Sequence, residues 1–373
     1  MKFIDLNWQY EQIPEIKDKI FEIIKKGEFI LSDEVKNFEK KWAEYIGTKY
    51  CLGLNSGTDA LSLALRAIGI KENDKVIVQT NTFASTVYAI IQNNGIPIFI
   101  DIDPEYGCLN LKQLKEEVKK EKPKAIIIVH LYGQACFASD VLEVAKENDI
   151  FLIEDCAQAH GAKWKGKMAG SFGDISCFSF FPSKNLGAFG DAGAICTDNY
   201  DYFENILKFR NIGSKEKHIH ESEWATNSRL DAIQAAVLSL KLKYLDEWNE
   251  KRRKIANLYR ENLKDLPLKI YKEHPFSYHV YHQFLIIVNN RKKVQEYLSK
   301  YEIPTLIHYP IPSHKAKAFS KYHYKNLQIA EWIAERHLSL PMSPHLNEDE
   351  VIFICEKLKE CLKDEEKPEI LLT

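Results

Sequence analysis

Four short apolar runs, Lys75–Gln79, Pro97–Asp101, Ala125–His130 and Phe151–Glu154, alternate along the chain with helical patterns at Thr86–Asn93, Leu111–Lys120 and Ser139–Asn148. Parallel strands need a crossover between them, usually a helix, and strands that are apolar along their whole length are buried on both faces. The alternation therefore predicts an α/β fold: a large, doubly wound, mainly parallel sheet with helices on both sides. In such a sheet the ligand site lies beyond the carboxyl ends of the strands. Polar and aromatic residues collect there: Asn81, Thr82 and Phe83 after one strand, His130 at the end of another, and Asp155, Gln158 and His160 after a third.

The chain has 373 residues, enough for a second domain. Helical patterns at Glu11–Lys26 and Glu34–Ile46 precede the alternating region. A long helix is expected from Ser228 to Trp248, with Leu230, Ile233, Val237, Leu240, Tyr244 and Trp248 on one stripe. It closes a first domain, residues 1–248. A strand at Phe284–Val288 opens a smaller α/β domain within 249–373.

Ahead of the alternating strands, a short element at Tyr50–Leu54 breaks at Asn55-Ser-Gly-Thr58. Ala60, Leu61, Ala64, Leu65 and Ile68 then recur at helical spacing, which puts Gly57 and Thr58 at a helix N-terminus. Free N–H groups, the helix dipole and a hydroxyl converge there, as a phosphate requires and as an ordinary Ser/Thr cap also would. Asp155 follows an apolar strand directly, so its carboxylate emerges at the rim of the sheet. It can meet the protonated ring nitrogen of a cofactor, or cap a helix over Cys156–Gly161.

Lys184 lies in Phe178-Ser-Phe-Phe-Pro-Ser-Lys-Asn-Leu-Gly-Ala-Phe-Gly-Asp-Ala-Gly193. A lysine buried among aromatics without a counter-ion tends to give up its proton, and a neutral amine is what attacks a carbonyl. The alternative is a stem lying over Phe180 and Phe181 with its head in water. Gly187, Gly190 and Gly193 are spaced three apart and lead into a strand, which is not the G-x-G-x-x-G of a dinucleotide fold. They let backbone pass close to a bound ligand. Two prolines in His308-Tyr-Pro-Ile-Pro-Ser-His314 make a rigid loop carrying two histidines and a tyrosine, suited to substrate contacts or to plain connection.

Composition narrows the partners. A net charge of -2 with no basic stripe gives nucleic acid no footprint, and the apolar runs are too short to span a membrane. The start, Met1-Lys-Phe-Ile-Asp-Leu, has no apolar signal region, so a cytoplasmic location is expected. None of the eight cysteines forms a C-x-x-C, and Cys156, Cys177, Cys196 and Cys355 lie in apolar surroundings. Buried thiols are expected, with neither disulfides nor a metal site.

Taken together, Asn55-Ser-Gly-Thr-Asp-Ala-Leu61, Asn81-Thr-Phe-Ala84, Val129-His-Leu-Tyr-Gly-Gln134, Glu154-Asp-Cys-Ala-Gln-Ala-His-Gly161, the lysine stretch, Asn227-Ser-Arg-Leu-Asp231 with Gln234-Ala-Ala236, and His308-Tyr-Pro-Ile-Pro312 span nearly the whole chain. In these motifs the sequence resembles the DegT/DnrJ/EryC1/StrS sugar aminotransferases, which use pyridoxal 5'-phosphate and pass through its pyridoxamine form. The resemblance implies an aspartate-aminotransferase-like, fold-type-I architecture and a role for each matched residue. Gly57, Thr58 and Ser179 would cradle the cofactor phosphate, Phe83 would stack on the ring, Asp155 would pair with the ring nitrogen, and Gln158 would bond the ring hydroxyl. Lys184 would carry the cofactor and move protons. Asn227 would reach the phosphate across the interface of a homodimer with shared active sites. His308 and Tyr309 would meet substrate, with His160 and His314 beside them. Two departures stand out: Glu223-Trp-Ala-Thr226 where relatives have a glycine and often a tyrosine, and Phe180 and Phe181 where many have a tyrosine hydroxyl.

The implied reaction moves an amino group from L-glutamate, leaving 2-oxoglutarate, to a nucleotide-linked keto sugar. The motifs look most like the branch acting at carbon 3 of a dTDP-linked 3-keto-6-deoxyhexose, giving a 3-amino-3,6-dideoxyhexose for a surface glycan or an antibiotic. Amination at carbon 4 is the alternative. A dehydratase of the same fold would have histidine in place of Lys184, and a regulatory protein would have no need of both Lys184 and Asp155.

Overall fold

The computed structural model describes residues 1–216, 218–322 and 325–370. Among them, seven strands form one sheet: β1 (Tyr50–Leu54), β2 (Lys75–Gln79), β3 (Ile96–Ile100), β4 (Ala125–Val129), β5 (Phe151–Asp155), β6 (Ile175–Ser179) and β7 (Gly193–Thr197). Their order is β1-β7-β6-β5-β4-β2-β3. Only β7 runs against its neighbours; β6, β5, β4, β2 and β3 pair in parallel. The register sets Val129 opposite Asp155 and Asp155 opposite Cys177, so the carboxyl ends of the three central strands lie side by side.

The sheet is mainly parallel, as the alternation predicts, because β2, β3 and β4 each feed a helix that carries the chain back to start the next strand in the same direction. β6 escaped the sequence reading: Ile-Ser-Cys-Phe-Ser interleaves hydroxyls with apolar residues and lacks a continuous apolar run, yet it is almost wholly buried.

Two helical expectations need correction. Glu11–Lys26 is two helices, Leu6–Glu11 and Glu15–Lys26, because Pro14 has no N–H to continue the first and caps the second. The single long helix from Ser228 is also two. Asp231 precedes Ala232–Lys241, a 3-10 turn at Leu242–Tyr244 shifts the phase, and Leu245–Leu263 follows. That last helix runs without a break across residues 248 and 249. Leu245 and Trp248 pack with the large sheet's helices, while Ile255, Ala256, Tyr259 and Leu263 enter a separate core with Phe284, Leu338, Ile354 and Leu358. The smaller unit holds an antiparallel pair, β8 (Phe284–Ile287) and β9 (His337–Leu340), against the helix Glu348–Leu362.

All eight cysteines are free and buried. No helix of the described residues is long and apolar enough to cross a membrane.

Candidate active site

A cavity of about 390 Å³ opens at the carboxyl ends of the central strands. Gly57, Thr58, Phe83, Asp155, Gln158, Ser179, Lys184, His308 and Tyr309 all line it. Residues far apart in sequence meet there because strand ends, one helix N-terminus and the lysine loop share one rim of the sheet.

The helix Gly57–Ala67 points its N-terminus into the cavity. Ser56 is the cap, its Oγ accepting from Asp59 N at 3.1 Å, so the capping task is done without Thr58. Thr58 Oγ1 lies 2.8 Å from Ser85 Oγ, and the N–H groups of Gly57 and Thr58 precede the helix ladder. A Cβ on Gly57 would lie 2.6 Å from Ser179 Cβ, so only glycine lets β6 approach this terminus. Amides, two hydroxyls and the positive end of the helix dipole together suit a phosphate. Gly193 departs from expectation, because its missing Cβ faces the Ser56 carbonyl at 2.3 Å. It admits neighbouring backbone, not a ligand.

Asp155 ends β5 with its carboxylate buried. Thr86 Oγ1 donates to Oδ2 at 2.8 Å and Ala157 N to Oδ1 at 3.1 Å. Residues 156–161 form turns, so there is no helix for Asp155 to cap. Burial outweighs these bonds and raises its pKa. A buried carboxyl with no ion-pair partner among the described residues is a site for a cation, such as a protonated ring nitrogen. Behind it, Glu154 bonds His130 Nε2 at 2.9 Å and takes the N–H groups of Gly170, Phe172 and Gly173. That saturated carboxylate holds the strand end in place.

Lys184 lines the same cavity from the loop after β6. Burial pulls its pKa from 10.5 down to about 8, against the weaker attraction of Asp155. Of the aromatics around it, Phe178 and Phe180 turn away into a buried cluster with Trp42 and Phe38, and only Phe181 lines the cavity. Gln158 Oε1 accepts from Tyr132 N at 2.7 Å and its Nε2 donates to Tyr309 Oη at 3.1 Å. Tyr132 in turn donates its hydroxyl to His308 O at 2.6 Å. Phe83, beside Tyr309 at 5.6 Å between ring centroids, is 56% exposed and free to take a ring against its face.

Three expected residues lie elsewhere. His160 is fully buried against Trp42, Phe178 and Phe180 and does not line the cavity; burial lowers its pKa to about 3. His314 is turned inward, with Thr80 Oγ1 at 2.7 Å on Nδ1 and Glu331 at 3.0 Å on Nε2. It ties the proline loop to the sheet. Asn227 is exposed, bridges to Asn211 through backbone, and does not line this chain's cavity. The sequence reading passed over Thr86, His282 and Gln283. Thr86 was within reach, since it sits in the first turn after Phe83 and faces the same strand ends.

The residues present fit pyridoxal phosphate: only glycine permits the close approach at Gly57, and the buried carboxyl of Asp155 has no ion-pair partner among the described residues. Comparison with known proteins agrees. Residues 11–359 match the DegT/DnrJ/EryC1/StrS aminotransferase family. The dTDP-3-amino-3,6-dideoxy-alpha-D-galactopyranose transaminase of Aneurinibacillus thermoaerophilus is 42% identical over 353 residues, 94% of this chain and 96% of that one. The crystal structure of S. venezuelae DesV superposes with a TM-score of 0.93 at 35% identity, covering 96% of this chain and 97% of that one. The Bacillus subtilis protein NtdA, solved with its cofactor PMP, superposes with a TM-score of 0.89 at 30% identity, over 97% of this chain and 83% of that one.

Proposed function

This chain belongs to the DegT/DnrJ/EryC1/StrS aminotransferase family, and from that premise we propose that it moves the amino group of L-glutamate to carbon 3 of a dTDP-linked 3-keto-6-deoxyhexose. It is a pyridoxal-phosphate-dependent transaminase. The observation that carries the reading is the shared cavity: a lysine with a lowered pKa, a buried carboxyl with a raised one, and a helix N-terminus open to a phosphate.

Bound there, the cofactor supplies an aldehyde that takes up the amino group and a ring that accepts electrons from the carbon losing its proton. Gly57, Thr58 and Ser179 would hold its phosphate, Phe83 its ring face, Gln158 its ring oxygen and Asp155 its ring nitrogen. Lys184, once free, takes the α-proton from the donor and returns one to the sugar carbon; a pKa near 8 lets one amine do both near neutral pH. Asp155 keeps the positive ring nitrogen protonated through both halves. Tyr309 and His308 line the cavity and would meet the sugar.

Carbon 3 rests on likeness to the Aneurinibacillus enzyme. Incubation with glutamate and the 3-keto or the 4-keto nucleotide sugar, followed by NMR location of the new nitrogen, is expected to give amination at carbon 3 alone. A product aminated only at carbon 4 would refute that position and leave the transaminase standing. The amino sugar would serve a surface glycan or an antibiotic.

The working unit is a homodimer in which Asn227 serves the partner's phosphate. Its exposure and absence from its own cavity favour this, as do the half-exposed rings of Phe83 and Phe181 at the rim. Heterodimers of Asn227→Ala with Lys184→Ala should put both defects in one site and leave the other whole. Activity near half of the native dimer is expected; two damaged sites would refute the crossing.

A further inference from the structure

His282 lines the cavity beside Lys184 and His308, and none of the roles assigned above uses it. It is 4% exposed, and its Nδ1 lies 3.1 Å from Asn185 Oδ1. The surrounding amides fix which nitrogen carries the proton. Asn249 Nδ2 donates to the His160 carbonyl at 2.9 Å, so Asn249 turns its oxygen toward Asn185. Asn185 Nδ2 donates to that oxygen at 2.9 Å and to the Val280 carbonyl at 3.0 Å. Its own oxygen therefore faces His282, and a carbonyl oxygen only accepts. Nδ1 must hold the hydrogen. Two main-chain carbonyls, neither able to donate, thus set the tautomer through a chain of two amides.

The ring is also neutral. Burial holds its pKa well below 6.5, and the positive groups facing it, Lys184 from the lysine loop and Arg252 from the helix Leu245–Leu263, push the same way, with His308 and His160 adding to them. With Nδ1 committed, Nε2 is the ring atom left to meet what enters the cavity, and it carries a lone pair. The cofactor's polar groups are already provided for by the helix terminus, Asp155 and Gln158. Glutamate's carboxylates cannot donate to a lone pair. A sugar hydroxyl can.

We infer that His282 determines sugar specificity: its Nε2 accepts a hydrogen bond from a hydroxyl on a carbon flanking the one aminated beside Lys184. This rests on the nucleotide-sugar reading above. Losing a buried acceptor strands a substrate hydroxyl, which costs on the order of tenfold in kcat/KM.

Two substitutions separate this role from a structural one. In His282→Asn the side-chain amide can still donate to Asn185, but nothing replaces Nε2. In His282→Gln the amide oxygen can stand where Nε2 stood, while the bond to Asn185 is lost. Stopped-flow measurement of the two half-reactions should show the Asn variant about tenfold slower with the keto sugar and changed by less than about twofold with glutamate. The Gln variant should recover most of the sugar rate. Calorimetry with dTDP and with the dTDP-linked amino sugar should show the Asn variant losing affinity for the second only. Equal losses in both half-reactions, or a Gln variant worse than the Asn one, would overturn the inference. A native enzyme that reacts with glutamate but with no keto sugar would bring down the substrate reading beneath it.

Discussion

Borohydride reduction of the cofactor-loaded protein is expected to leave the pyridoxyl label on Lys184, and Lys184→Ala to lower turnover by on the order of 10⁴-fold or more while the variant still binds cofactor noncovalently. The acidity of the amine is not enough to single it out. Lys241 is buried as well, and burial brings its pKa down to about 8 too. Geometry separates the two. Lys241 Nζ is spent on Gln9 Oε1 at 2.9 Å and the Gly187 carbonyl at 2.7 Å, and it lies outside the cavity, whereas Lys184 lines it together with Asp155.

The shift on Lys184 also fixes a pH dependence. Burial penalises the ammonium, so the amine titrates near 8; at pH 7 roughly a tenth is neutral, against about 3 in 10⁴ for a lysine at its ordinary value. Uptake of pyridoxal phosphate by the apoprotein should therefore quicken as pH rises and level off above about 8. A label found on Lys241, or an uptake rate still climbing steeply at pH 10, would sink the assignment.

The parts of the site that could be read from the sequence are those where local chemistry and position coincide. Asp155 comes straight after Phe151-Leu-Ile-Glu154, so its place at the sheet rim follows from strand geometry, and the structure puts it at the last position of β5. Gly57 and Thr58 precede a helical repeat by one turn, so their place at its N-terminus needs no tertiary information. What could not be read depends on packing between distant segments. His160 stands in the same motif as Asp155, yet the turn after β5 sends it into the Trp42 cluster. His314 shares a loop with His308, but Glu331 and Thr80 draw it inward. His282 belongs to no motif with the lysine, and folding brings it to the same cavity and to the amide of the neighbouring Asn185.

The same limit explains the helices. The apolar stripe from Leu230 to Trp248 has one period, and a stripe says nothing about a 3-10 turn that tightens the backbone at Leu242–Tyr244 while keeping neighbouring faces buried. Pro14, by contrast, was a local signal and breaks its helix where its chemistry says it must.

Asp155→Asn is expected to cut kcat by about 10³-fold or more, with little change in fold and a smaller loss of cofactor affinity. The prediction depends on the neighbours being able to accept the amide. Thr86 now gives its hydroxyl proton to Asp155 Oδ2, and Thr82 Oγ1 lies 2.8 Å from Thr86 Oγ1. In the variant the Asn Nδ2 can donate to Thr86, whose proton turns to Thr82, and the Asn oxygen still accepts from Ala157. Every bond survives, the two through Thr86 with their direction reversed, so packing and hydrogen bonding are kept and only the charge is lost. A buried carboxyl already raised by desolvation is held ionised by the cation it faces, and without that carboxylate the ring nitrogen has no reason to keep its proton. The ring then accepts electrons poorly, and both half-reactions should slow by the same factor, since each needs the same ring. This sets Asp155 apart from His282, whose loss should touch the sugar half alone. An N1-methylated cofactor analogue, which carries a fixed positive charge, should restore a substantial part of the rate to Asp155→Asn. Failure of that rescue with intact thermal stability would mean that Asp155 acts otherwise than through the ring nitrogen.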